Sequence, residues 1–289
     1  MEFIQKIAAF LMHYTWDIAL GEYDESIITQ TPNIFDKIHI IKNPYRKKWF
    51  ADPFILKRDG TLIHLLVEEF DSDVSRGRIA HIEVDTDIWS ITSCKIILEL
   101  PTHLSFPAIY RIGPKVYVHP ENSASGNSYI YEYDQDNDLL INPILLSDLP
   151  LNDAVIQEKS GEYIMTATEN PTPNGNVMTI LESHDFLGPY KKISEVVLKT
   201  RIARMAGYYL ETKKGLLRPA QDCNGDYGKS VLFMKNYEEM SKLVPNNYRY
   251  SGIHTFNTGD GLFVIDLKKQ DFPFVYKIRT LVKSLLHMQ

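Results

Sequence analysis

Three carboxylates (Asp52, Glu121, Asp153), three arginines (Arg201, Arg204, Arg218) and two histidines (His103, His254) are the side chains of this sequence best suited to chemistry. A carboxylate moves protons or accepts hydrogen bonds from hydroxyls, and a guanidinium holds a phosphate or diphosphate. Gln221 and Asp222 follow Arg218 closely in Leu-Leu-Arg-Pro-Ala-Gln-Asp-Cys, a run offering donors for hydroxyl or phosphate oxygens and an acceptor for sugar hydroxyls. Its plainer reading is a structural ion pair between Arg218 and Asp222. A lone histidine is more often a hydrogen-bonded structural group than a ligand. No HxH or HExxH spacing occurs, so neither a metal nor a resident cofactor is expected. A Gly-rich phosphate loop and a nucleophile elbow are also absent.

These residues need elements that bring them together, and a repeat supplies them. Segments beginning at Asp52, Ser105, Asp153, Ala206 and Ile253 are separated by 53, 48, 53 and 47 residues. Each carries a glycine eight or nine positions on: Gly60, Gly113, Gly161, Gly215 and Gly261. Sixteen positions after the start the first four have an acid (Glu68, Glu121, Glu169, Asp222), whereas the fifth has Lys269. Each unit reads as strand, glycine turn, strand, then a more variable strand pair. Four strands in about fifty residues make a propeller blade. The expected fold is therefore all-β, a five-bladed β-propeller with short N- and C-terminal helices. An irregular β-sandwich with chance-similar hairpins is the alternative. In a propeller the innermost strands line a central funnel, so the unit starts, Asp52, Ser105, Asp153, Arg204 and His254, converge there, with His103 beside them.

Composition fits this picture. The 289 residues carry 31 Lys+Arg and 37 Asp+Glu, a net charge of −6 that disfavours general nucleic-acid binding. With 17 Tyr, 13 Phe and 3 Trp, the chain is suited to strands. Two distant cysteines, Cys94 and Cys223, exclude a disulfide scaffold and suit a reducing cytosol. No apolar run approaches a membrane span, and the N-terminus lacks a signal cleavage site, so a cytoplasmic location is expected. One domain is expected over 1–289, with blades over about 50–270, a closing segment over 1–49 that includes a helix near 2–13, and a basic amphipathic helix over 274–289. That last helix either packs on the fold or makes peripheral contact with an anionic membrane at its inner face.

Asp52, in Trp-Phe-Ala-Asp-Pro-Phe, resembles the first-blade aspartate of five-bladed glycosidases such as arabinanases and fructosidases, which implies a nucleophile or a base activating water. Otherwise it caps a strand-entry turn. Asp153 is similar to the third-blade aspartate of those enzymes, which orients the acid and tunes its pKa. The fourth blade departs from them, because Thr-Arg-Ile-Ala-Arg-Met-Ala-Gly provides Arg201 and Arg204 where those hydrolases have a general-acid Glu. Glu121 could restore an acid from another blade.

The ordered set Phe-Ala-Asp-Pro-Phe (50–54), His-Leu-Ser-Phe-Pro (103–107), Pro-Glu-Asn-Ser (120–123), Ala-Arg-Met-Ala-Gly (203–207), Leu-Arg-Pro-Ala-Gln-Asp (217–222) and Gly-Ile-His-Thr (252–255) resembles one family. It is the N-terminal propeller domain of glucosamine inositolphosphorylceramide transferases, with its stand-alone bacterial relatives. The resemblance implies a role in building surface glycans or glycolipids. Joined to arginine where a hydrolase acid would stand, it suggests a glycosyltransferase: Asp52 as base, Asp153 orienting the acceptor, Arg204 and Arg218 beside a diphosphate, and Gln221, Asp222 and His254 reading hydroxyls. The expected partners are a nucleotide-sugar donor and a glycan or glycolipid acceptor. The rivals are a glycoside hydrolase using Asp52 and Glu121, and a non-catalytic glycan-binding propeller.

Overall fold

A computed structural model describes residues 11, 13–30 and 33–278. The expected helix near 2–13 lies outside the described residues apart from positions 11 and 13, as does the C-terminal helix beyond 278. The chain enters as β1 (Tyr14–Glu22), a single helical turn α1 (Ser26–Thr29) and a short β2 (His39–Ile40). Four-stranded antiparallel sheets follow. The first blade is β3 (Lys48–Asp59), β4 (Leu62–Asp71), β5 (Arg76–Asp85) and β6 (Ser90–Leu98). The second is β7 (Ser105–Ile112), β8 (Lys115–Glu121), β9 (Ser128–Asp134) and β10 (Leu139–Ser147), and the third is β11 (Leu151–Lys159), β12 (Glu162–Glu169), β13 (Val177–Ser183) and β14 (Lys191–Val197). The fourth is β15 (Leu210–Thr212), β16 (Gly215–Gln221), β17 (Val231–Lys235) and β18 (Glu238–Leu243).

The fifth blade is assembled from both ends of the chain. Its inner edge is split into β19 (Tyr250–Gly252) and β20 (Phe256–Gly259), both paired to β21 (Leu262–Gln270). Strand β1 then pairs antiparallel with β21 along nine residues, from Tyr14↔Gln270 to Glu22↔Leu262, and β2 adds the outer edge. β3 packs beside β1, β20 and β21, so the first blade meets the fifth and the ring is closed. The fold is a five-bladed β-propeller.

The glycine repeat has a local cause. Gly60, Gly113, Gly161, Gly215 and Gly261 all have φ between +57° and +99°, which a tight turn between the first two strands of a blade requires and most side chains resist. Aromatic side chains fill the seams between blades. Phe54 meets Phe106 edge-on at 4.9 Å and Tyr208 at 5.2 Å, and Phe233 meets Phe256 at 5.1 Å. Among the described residues no helix is long and apolar enough to cross a membrane.

Candidate active site

The inner strands of the first three blades share one irregularity. β3, β7 and β11 each lose register with their neighbours, between Ala51 and Phe54, Ser105 and Ala108, and Asn152 and Val155. The extra residue in each bulge is left-handed: Asp52 at φ +48°, Phe106 at +44° and Asp153 at +46°. Bulges of this kind turn a side chain out of the pleat and recur at functional sites. Here they leave Asp52 and Asp153 almost fully buried in the interior of the ring.

Asp52, in the first blade, is held from the second and fifth blades. Its Oδ1 accepts the Thr255 hydroxyl at 2.7 Å, its Oδ2 accepts the Phe106 backbone N–H at 3.2 Å, and its own N–H donates to Asp266 Oδ2 at 3.0 Å. His254 Nε2 lies 3.4 Å from Asp52 Oδ1, and His254 Nδ1 lies 2.6 Å from Asp266 Oδ2, a close ion pair. Asp266 also accepts the backbone N–H groups of His254 and Thr255 at 3.0 and 3.1 Å. The gap between β19 and β20 turns those two N–H groups away from the ladder and onto Asp266. Burial pushes the Asp52 carboxyl up, His254 opposes this, and Asp153, Glu68 and Asp266 reinforce it, leaving Asp52 at about 7. For His254 burial works downward, but Asp266 and Asp52 outweigh it and raise the imidazole to about 9. Asp266 is buried, yet His254 and the donated N–H groups hold it below the usual carboxylate value.

Asp153 is clamped differently. Arg204 grips it with both prongs, Nε to Oδ2 at 2.5 Å and Nη2 to Oδ1 at 3.0 Å, and Gln221 Nε2 adds a bond to Oδ2 at 2.6 Å. The third nitrogen of Arg204 donates to Asn174 Oδ1 at 2.8 Å, and its guanidinium lies 5.3 Å from the centre of the Tyr227 ring. All three guanidinium nitrogens are thus engaged within the protein. Burial acts to lower Arg204, but Asp153 overrides it and holds the group well above its ordinary value.

Two more carboxylates complete the cluster. Ser105 and Glu121 face each other across β7 and β8, with Ser105 Oγ donating to Glu121 Oε2 at 2.9 Å and Ser123 N–H donating to Oε1 at 2.7 Å. Glu68 Oε1 lies 3.3 Å from His103 Nε2. His103 Nδ1 accepts the Gly77 N–H at 2.9 Å, so the ring proton sits on Nε2 and faces Glu68. Burial lowers His103, but Glu68, Glu121 and Asp52 together raise it. Gly77 is required here, because a Cβ would come within 2.7 Å of both Glu68 Oε1 and His103 Cε1 and 2.4 Å from the Leu104 carbonyl.

An aromatic cover lies over the acids. Trp16 stacks on His254 with ring centres 4.0 Å apart, Tyr227 meets both edge-on, and Tyr14 meets Trp16 edge-on.

The structure gathers Asp52, His103, Ser105, Glu121, Asp153, Arg204, Gln221 and His254, but not the rest of the expected set. Arg218 and Asp222 do not pair. Strand alternation sends Arg218, three residues before Gln221 on β16, to the opposite face, and Asp222 follows the end of the strand. Arg218 donates to the Ile202 and Ala203 carbonyls, at 3.0 and 3.2 Å, and burial lowers its pKa. Asp222 binds Lys242 at 2.8 Å on the outermost strand of its blade. Arg201 is exposed and donates to the Asn174 carbonyl at 2.9 Å. The sequence reading missed Asp266, Thr255, Trp16 and Tyr227. Asp266 had a signal, since a charge inside Leu-Phe-Val-Ile-Asp-Leu marks a buried polar group. Trp16 had none, because only the closing pair of β1 with β21 carries it to His254.

Asp52, His254 and Asp266 present oxygen and nitrogen atoms within 4.8 Å of one another. Asp266 already receives four contacts, from Asp52 N–H, His254 N–H, Thr255 N–H and His254 Nδ1.

A sequence model of the family described as "Glucosamine inositolphosphorylceramide transferase 1, N-terminal" matches residues 31–255. Two curated relatives, glucosamine inositolphosphorylceramide transferase 1 from the indica and japonica subspecies of Oryza sativa, are each 25% identical over 215 residues, covering 71% of this chain. The chain spans only 28% of their length. Among solved structures, a family 117 glycoside hydrolase of Zobellia galactanivorans superposes with a TM-score of 0.51 at 11% identity, covering 90% of this chain and 92% of its own. The catalytic domain of a GH62 α-L-arabinofuranosidase from Coprinopsis cinerea gives 0.50 at 12% identity, covering 78% and 92%. At such identities these two show a shared fold.

Proposed function

The chain belongs to the family of the glucosamine inositolphosphorylceramide transferase 1 N-terminal domain, and from that premise we propose that its funnel is a carbohydrate site where Asp52 is the general base in sugar transfer. Asp52 takes the proton from an acceptor hydroxyl as that oxygen attacks the anomeric carbon of the donor. The bond from that carbon to the donor's phosphate then breaks, and the phosphate or diphosphate leaves as an anion. The observation that carries the reading is the left-handed bulge of β3, which sets the Asp52 carboxyl in the interior of the ring beside His254 and Thr255, where burial raises it toward neutrality.

Glu121 supports transfer over hydrolysis. Both of its oxygens already accept hydrogen bonds, from Ser105 and Ser123, so it is not arranged to donate a proton to a poor leaving group. A nucleotide leaving group needs no such acid. It needs positive charge, which Arg204 places beside the funnel acids through its ion pair with Asp153. The acceptor is a glycan or glycolipid of a bacterial surface, assembled at the cytoplasmic face of the membrane. Saturation of Arg204 and the aromatic cover favour a second reading, a propeller that binds glycan without turning it over.

Incubation of the full chain with a panel of nucleotide sugars and glycolipid acceptors, read by mass spectrometry, tests the proposal. Donor consumption should follow a rising limb near pH 7, and Asp52→Asn should lower turnover about 100-fold or more while glycan affinity survives. Glycan binding with no donor consumed would establish the second reading instead. Turnover that persists in Asp52→Asn removes the base assignment.

A further inference from the structure

Away from the funnel, the first blade carries a second cluster that the sugar chemistry does not use. β4 and β5 place His64 directly opposite Glu83, and His81 lies two residues from Glu83 on the same face of β5. His64 Nδ1 is 2.9 Å from His81 Nε2 and 3.8 Å from Glu83 Oε1, and the three groups present ligand atoms all within 4.8 Å of one another. Ligands held at about 2.0–2.1 Å around a tetrahedral ion stand about 3.3 Å apart, and the two observed separations bracket that value. The cluster lines a cleft of about 470 Å³ that also reaches Lys57, Arg111 and Asp138.

The second blade completes the arrangement. Asp138, in the turn between β9 and β10, accepts from His81 Nδ1 at 3.0 Å and from the Tyr133 hydroxyl at 2.7 Å. That bond puts the His81 proton on Nδ1 and leaves the Nε2 lone pair aimed at the centre of the cluster, as metal-binding histidines are commonly oriented by a carboxylate behind them. Of the two cations in the cleft, Arg111 is turned away onto the Leu56 carbonyl.

We propose that His64, His81 and Glu83, with Asp138 orienting His81, form a site for a divalent transition ion of the zinc class at the seam between the first two blades. Two imidazoles and one carboxylate suit zinc and leave its fourth position to water from the cleft. Without metal, the Nδ1 proton of His64 bridges to His81 Nε2. The ion takes the place of that proton, and His64 shifts to its Nε2–H tautomer, so both rings stay neutral.

Zinc titration of the full chain in competition with a chromophoric chelator tests this. One ion should bind per chain, and His64→Ala and His81→Ala should each weaken binding at least tenfold. Asp138→Asn should weaken it by about 10–100-fold, as expected for a group behind a ligand. Co²⁺ should give visible absorption that disappears in His81→Ala. Asp52→Asn, in the other acid–histidine cluster, should leave zinc affinity within about twofold. Metal-free melting controls for folding, and if a histidine variant fails to fold, Glu83→Gln decides, since it keeps the imidazole pair intact. Absence of saturable binding up to about 0.1 mM zinc, or affinity unchanged in Glu83→Gln and Asp138→Asn, overturns the proposal in favour of a plain His–His hydrogen bond.

Discussion

His254 sits between two aspartates and beneath an indole, and its charge is tied to folding. Its pKa rises from an ordinary 6.5 to about 9 in the folded chain, so the stability it contributes is complete below about pH 6.5 and is lost as pH climbs through 9. Asp52, raised from 3.8 to about 7, adds a decline of the same sign between those values, because the folded state holds its proton longer than the unfolded chain does. The melting temperature should therefore fall steadily from about pH 5 to 9. In His254→Gln the upper part of that slope should flatten, an effect of at most roughly 3 kcal/mol; an unchanged profile would mean that the imidazole is not charged in the folded state. The buried Asp153–Arg204 pair makes a separate prediction. Arg204→Leu strands a buried carboxylate and should cost about 3–5 kcal/mol in urea unfolding, whereas Arg204→Leu with Asp153→Asn should cost less than the sum of the two changes.

At the scale of strands, the bulges in β3, β7 and β11 do what ladder residues cannot. A regular strand would point Asp52 and Asp153 into the faces of their blades, and the left-handed residue turns each toward the axis. The same dependence on backbone appears at the start of β5. Gly77→Ala should push His103 off Glu68, and the imidazole pKa measured by NMR should drop back toward 6.5 or below, since burial alone lowers it. A histidine still titrating high in that variant would show that the space opens elsewhere. Between blades, Phe54→Ala removes a fully buried ring shared with Phe106 and Tyr208 and should cost about 3–5 kcal/mol.

For the whole molecule, closure is the controlling event. β1 completes the fifth blade, and Trp16 on that strand covers His254, so the strand that closes the ring also covers the site. Removing residues up to 23 should abolish a single cooperative melt and expose the site to proton exchange together; a truncated chain that melts as sharply as the parent would separate the two. The net charge of −6 has a local echo, because Asp52, Glu68, Glu121, Asp153 and Asp266 cluster together and, among the described residues, find ion-pair partners in Arg204, His103 and His254.

The repeat of glycine and acid determined the propeller from the sequence alone, because a tight turn demands φ > 0 in every blade and leaves a mark at a constant spacing. Asp52, Asp153 and Arg204 were legible for the same reason, as they stand at or near unit starts. What the arginines do was not legible. Strand alternation turns Gln221, which reaches Asp153, and Arg218, three residues earlier on β16, to opposite faces, and no local pattern states which face looks inward. Asp266, Trp16 and the His64–His81–Glu83 cluster meet their partners through cross-strand register, across 252 residues for Trp16 with Lys268 of β21, so only the closed tertiary structure decided them.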